Sequence, residues 1–159
     1  MSTPEPGIYI LTGPVQSGKT TALINWSANR KDVYGILTPL AGEKRIFLDA
    51  QNREQFPMEA EAGEAEVLSV GRFRFSKNNF EKAIQTVLDA ARSEGWLVID
   101  EIGPLELRGE GFHDVLKEVL VQRKNKLLLV VREGLVEKVK EHFVFIADVI
   151  LAGNLGAFK

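Results

Sequence analysis

The sequence predicts an α/β fold of three layers, with a mostly parallel sheet, helices on both faces and a β-hairpin excursion. Uninterrupted apolar runs such as Trp96-Leu97-Val98-Ile99 and Leu127-Leu128-Leu129-Val130-Val131 read as strands buried on both faces, the pattern of a parallel sheet. The segments before and after these runs carry apolar residues at helical spacing. Helices alternating with such strands imply right-handed crossovers that cover the sheet from both sides.

Taken in order, Ile8-Tyr9-Ile10-Leu11-Thr12 is a short β-branched run ending at a glycine, and Gly18 to Arg30 follows with helix formers. Val33 to Thr38 and Arg45 to Asp49 read as two further strands joined by a turn over Pro39 to Lys44, the hairpin excursion. From Gln51 to Glu66 the chain is polar, and its Glu/Ala-rich stretch predicts an exposed segment without regular structure. Phe73 and Phe75 alternate with Arg72 and Arg74, which suits a half-buried strand or, more plainly, an edge strand.

Asn78, with Glu81 three positions on, predicts the start of a helix whose apolar face is Phe80, Ala83, Ile84, Val87, Leu88 and Ala91. That helix leads into the strand Trp96 to Asp100. Phe112, Val115, Leu116, Val119 and Leu120 predict a second helix before the strand Leu127 to Val131. A third helix, about Leu135 to His142, precedes a strand over Phe145 to Leu151. No internal repeat is visible.

The 159 residues fit one domain, spanning 1–159, and a globule of this size buries about 70% of its unfolded surface. The net charge of -2 gives no electrostatic reason to expect nucleic acid or anionic lipid as a partner. With no cysteine in the chain, disulfides, thiolate metal sites and cysteine nucleophiles are excluded. The N-terminus lacks the basic and apolar regions of a secretory signal, and no apolar run approaches the roughly 20 residues of a membrane span. Cytoplasmic residence, away from any membrane, is the expectation; the oligomeric state is left open.

Gly13-Pro14-Val15-Gln16-Ser17-Gly18-Lys19-Thr20 matches G-x-x-x-x-G-K-[ST], the phosphate-binding loop. Its place between a predicted strand and a predicted helix lets backbone N–H groups and the helix N-terminus converge on phosphate. Gly13, Pro14, Val15, Gln16, Ser17, Gly18, Lys19, Thr20 and the adjoining Thr21 are therefore the expected nucleotide-binding residues. Lys19 would reach the β- and γ-phosphates, and the Thr20 hydroxyl would ligate Mg²⁺. Gln16 either touches the γ-phosphate or faces water.

Asp100 ends an apolar strand, where the carboxyl edge of a parallel sheet opens on the same crevice as the loop. It is the expected second metal residue, while Glu101 is expected to orient or deprotonate the attacking water. Arg132 follows the strand Leu127 to Val131. If that strand neighbours the first one, the guanidinium opposes charge on the transferring phosphoryl group; otherwise it is a surface ion pair. His113 and His142 sit isolated on helical patterns and read as structural or solvent-facing.

Leu11 through Thr21, Gly35 to Pro39, Val70 to Phe73, Phe80-Glu81 and above all Ile99-Asp100-Glu101-Ile102-Gly103-Pro104-Leu105-Glu106-Leu107 resemble the thermophilic-type family of small nucleoside-triphosphatases, which includes a cancer-related nucleoside-triphosphatase. The resemblance spans nearly the whole chain and is weakest over residues 40–66. It implies a RecA-like P-loop core, hydrolysis of several nucleoside triphosphates with Mg²⁺, and Asp100 to Pro104 as a second nucleotide-contacting segment.

Rival readings remain at this level. A small-metabolite kinase would need an acceptor lid, for which Arg45, Arg53, Arg72 and Arg74 are candidates. A GTP-dependent switch would show Asn-Lys-x-Asp, and Asn125-Lys126-Leu127-Leu128 lacks the aspartate. A nucleotide-binding accessory protein would share the loop without the turnover.

Overall fold

A computed structural model describes residues 7–14 and 17–158. Its central sheet runs in the order β10 (Asp148–Ile150), β1 (Ile8–Leu11), β9 (Lys126–Val131), β8 (Trp96–Ile102), β2 (Val33–Leu37), β4 (Lys44–Asp49) and β3 (Leu40–Ala41), with β5 (Gln55–Pro57) also paired to β4. The first five strands are mutually parallel; β4 turns back antiparallel to β2. This is the mostly parallel sheet with an excursion that the apolar runs predict.

Alternate residues of each strand feed opposite faces. Leu97, Ile99, Leu127, Leu129 and Val131 join one core with α2 (Lys77–Ala90), α4 (His113–Gln122) and α5 (Val136–Phe143). Trp96, Val98, Leu128 and Val130 join the other, under Leu23 of α1 (Lys19–Ser27) and Leu155 of a 3-10 segment, Ala152–Ala157. Each fully buried Leu, Val or Ile contributes about 1.5–3 kcal/mol, so these interleaved sets hold the sheet between its two helical layers. The tight approach of β2 to β8 requires Gly35: at φ 111 a Cβ there would lie 2.0 Å from the Val98 carbonyl oxygen.

Several local expectations are corrected. The polar stretch after Gln51 contains β5, whose register with β4 pairs Phe47 with Phe56, and Glu59 bridges Phe75. Backbone pairing to a neighbour supplies the order that composition does not advertise. Phe73 and Phe75 lie on β7 (Phe73–Ser76), which pairs with β6 (Val67–Val70) in a separate two-stranded ribbon. Phe75 is buried, but Phe73 is 43% exposed. The helix cap is Ser76, whose side chain accepts from the Asn79 N–H; Asn78 is already inside α2. β8 continues past Asp100 to Ile102, with a shift in its register against β9 between those two residues. The edge strand β10 is shorter than Phe145 to Leu151, and the four-residue helix α3 (Pro104–Leu107) is too brief to leave a periodic signature.

Candidate active site

Strand pairing decides what the loop after β1 faces. Leu11 pairs with Val130, and Val130 with Asp100, so three parallel strands bring the phosphate loop, Arg132 and the two carboxylates to one edge of the sheet. Gly18, at φ 82, turns the chain into α1 in a left-handed conformation, and no side chain caps that helix. Its first N–H groups are thus left to a ligand, and the helix dipole favours an anion there. Val15 and Gln16 lie outside the described residues. The Lys19 ammonium donates to the Gly13 and Pro14 carbonyls, each at 3.0 Å, which folds it over the loop.

Thr20, the second residue of α1, donates its hydroxyl to Asp100 Oδ2 at 2.9 Å across 80 positions of sequence. The same carboxylate oxygen accepts the Thr38 N–H at 3.1 Å. Thr38 follows β2, and its role escaped the sequence because a backbone amide leaves no side-chain signal. Asp100 is 2% exposed, and burial pushes its carboxyl above the usual carboxylate range despite these two bonds. A part-buried hydroxyl and a buried carboxylate beside a phosphate loop form the hard oxygen set that suits Mg²⁺. By that chemistry Thr20 and Asp100 fit the ion.

The neighbouring Glu101 is placed differently. Its side chain is 38% exposed, and Oε1 lies 3.7 Å from Arg132 Nη2. Burial first and the Asp100 charge second raise its proton affinity, while Arg132, Arg45 and Lys19 oppose that rise. The peptide between Asp100 and Glu101 is cis. Arg132 thus makes a loose ion pair and also lines the cavity.

The cavity, about 560 Å³, extends from Ser17 to Thr21 past Asp100, Glu101 and Arg132 to an apolar wall of Leu40, Met58, Val70 and Phe73. Of the four lid arginines, only Arg45 lines it. Its Nη1 donates to the Thr38 carbonyl at 2.9 Å, beside the amide that holds Asp100. Arg53 turns to Ser27, Arg72 lies over the Phe73 ring and Arg74 reaches the Glu64 carbonyl.

Glu106 was visible in sequence only as part of the Gly-Pro-Leu-Glu run. It is 3% exposed, accepts the Gly103 N–H at 2.8 Å and the Phe112 N–H at 2.9 Å, and thereby closes the loop after β8 onto the start of α4. Desolvation pushes its pKa up to about 7, above the ~4.3 of an unfolded glutamate. Between those values the folded chain holds the proton more tightly than the unfolded one, so this contribution to stability falls as pH rises and levels off above pH 7. Urea unfolding at pH 5 and pH 8 should show part of the wild-type decline missing in Glu106→Gln. Equal declines in both proteins would remove Glu106 as its source.

A family model described as NTPase matches residues 8–151. The chain belongs to this NTPase family. As a family member it is an enzyme that hydrolyses nucleoside triphosphates. A search of curated proteins finds no match for this NTPase. Among solved structures it is similar to a human cancer-related nucleoside triphosphatase, at 20% identity and TM-score 0.70, over 96% of this chain and 94% of the other. It is also similar to THEP1 from the hyperthermophile Aquifex aeolicus, at 18% identity and TM-score 0.68, over 91% of this chain and 87% of the other. At these identities the two likenesses establish the fold, a P-loop three-layer α/β arrangement, and agree with the family resemblance read from Ile99 to Leu107.

Proposed function

We propose that this NTPase, acting as one domain, hydrolyses ATP, GTP, CTP and UTP to the diphosphate and inorganic phosphate, with Mg²⁺ held by Thr20 and Asp100. The observation that carries this reading is the 2.9 Å bond joining the Thr20 hydroxyl to Asp100 while the adjacent Glu101 stays half-buried, outside that bond. One carboxylate is committed to the metal position and its neighbour is left to deal with water. Bound Mg²⁺ would neutralise the phosphate oxygens and so ease departure of the diphosphate.

The chain's own residues do the rest. The loop from Gly13 to Thr21 grips the phosphates, and Lys19 leaves the Gly13 and Pro14 carbonyls to reach the β- and γ-oxygens. Glu101 accepts a proton from water as its oxygen bonds to the γ-phosphorus and the bond to the β-phosphate oxygen breaks. Arg132, beside Glu101, offsets the negative charge of the transferring group.

A phosphate-release panel tests this. With Mg²⁺, all four nucleotides should be turned over, since Asn125-Lys126-Leu127-Leu128 lacks the aspartate that reads guanine; EDTA should abolish release. Turnover that survives EDTA would sink the metal assignment. Release from GTP alone would favour a guanine-specific switch.

A further inference from the structure

The helical patterns predict His113 and His142 to be isolated, and the structure corrects this. His113 opens α4 and His142 lies in the last turn of α5, yet their Nε2 atoms stand 3.2 Å apart. The ring centroids are 5.3 Å apart, which leaves the two nitrogens facing each other. His113 Nδ1 lies 2.7 Å from Asp114 Oδ1, and the Phe143 ring packs against both imidazoles, at 5.3 Å and 4.8 Å between centroids. The His113 side chain is 17% exposed, so its ring is held by packing as well as by Asp114.

A tetrahedral ion with Zn–N bonds of about 2.0–2.1 Å keeps two ligand nitrogens about 3.3 Å apart. The observed separation therefore suits chelation without movement of either helix. The Asp114 carboxylate adds the feature that ligating histidines usually show: it accepts the Nδ1 proton of His113 and leaves Nε2 as a lone pair aimed at the gap. If His142 also carries its proton on Nδ1, a second lone pair meets the first. The alternative tautomer makes the pair a simple hydrogen bond, so the two descriptions differ in what they take up and not in their geometry.

We propose that His113 and His142 form a bidentate site for a borderline divalent ion of the Zn²⁺ type. Water completes the coordination, since among the described residues no three His, Asp or Glu side chains converge on one point. Imidazole pairs select Zn²⁺ or Ni²⁺ over Mg²⁺, which separates this site chemically from the oxygen set at Thr20 and Asp100. The ion would tie the start of α4 to the end of α5, the helices before and after β9.

ZnCl₂ titrated calorimetrically into the purified chain, at saturating Mg²⁺ to fill the oxygen site, tests this. One equivalent should be taken up saturably and should raise the melting temperature. His113→Ala and His142→Ala should each weaken uptake at least ten-fold, with no further loss in the double variant, because a chelate needs both nitrogens. Should His113→Ala fail to fold, His142→Gln at the exposed position carries the comparison, with the imidazole ¹⁵N signals of the wild type as a second readout. No saturable uptake, uptake preserved without His142, or zinc shifts confined to one imidazole would overturn the proposal.

Discussion

Glu101→Gln is expected to retain Mg²⁺-ATP while releasing phosphate about 10²- to 10⁴-fold more slowly, the usual contribution of a positioned acid or base. The amide preserves the shape of the side chain and can still hydrogen-bond, but it cannot accept a proton from water. Asp100 keeps both of its partners, the Thr20 hydroxyl and the Thr38 N–H, so the metal position should be undisturbed and binding should survive. Nucleotide affinity and phosphate release need to be measured separately at saturating Mg²⁺ and ATP. Wild-type turnover by this variant would remove Glu101 from the chemistry. Asp100→Asn is the useful contrast, because a weakened metal ligand loses binding together with rate.

Lys19→Ala should lose most hydrolysis, with a smaller effect on diphosphate binding. In the proposed mechanism its ammonium balances the γ-phosphoryl oxygens as they leave, whereas the uncapped start of α1 would remain to hold phosphate. The ammonium satisfies the Gly13 and Pro14 carbonyls. Truncation therefore leaves those carbonyls to water at a partly exposed position, a minor cost to the fold. Thermal unfolding close to wild type, alongside a loss of phosphate release, is the expected combination. A large drop in melting temperature would point instead to Lys19 as a structural brace of the loop.

Legibility in the sequence followed the range of the interactions. Gly13 to Thr20 could be recognised because its geometry is local, with glycines that permit the turn and a lysine and threonine that follow at once. Leu127 to Val131 could be read as a strand because burial on both faces leaves no polar position. Thr38, by contrast, acts through its amide, and Arg45 reaches the Thr38 carbonyl only because β4 folds back on β2. Neither follows from its own neighbours in sequence. Ser76 and Asn78 are both competent caps, and the apolar spacing of α2 does not choose between them. The choice belongs to β7, which runs through Ser76 before the helix begins. The histidines lie 29 positions apart and meet only through the packing around β9.

The position of β9 between β1 and β8 has a mechanical consequence. Adjacent strands lie about 4.8 Å apart, so the strand that carries the phosphate loop and the strand that carries Asp100 and Glu101 are separated by about 10 Å. That gauge is set by two rows of peptide hydrogen bonds, with side-chain size playing little part. Trimming a core Leu or Val of β9 should soften the protein without resetting the gap between grip and carboxylate. Sliding β9 by one residue would leave the width unchanged but would displace Arg132 along the edge and swap its buried faces, an error the interleaved cores on either side strongly resist.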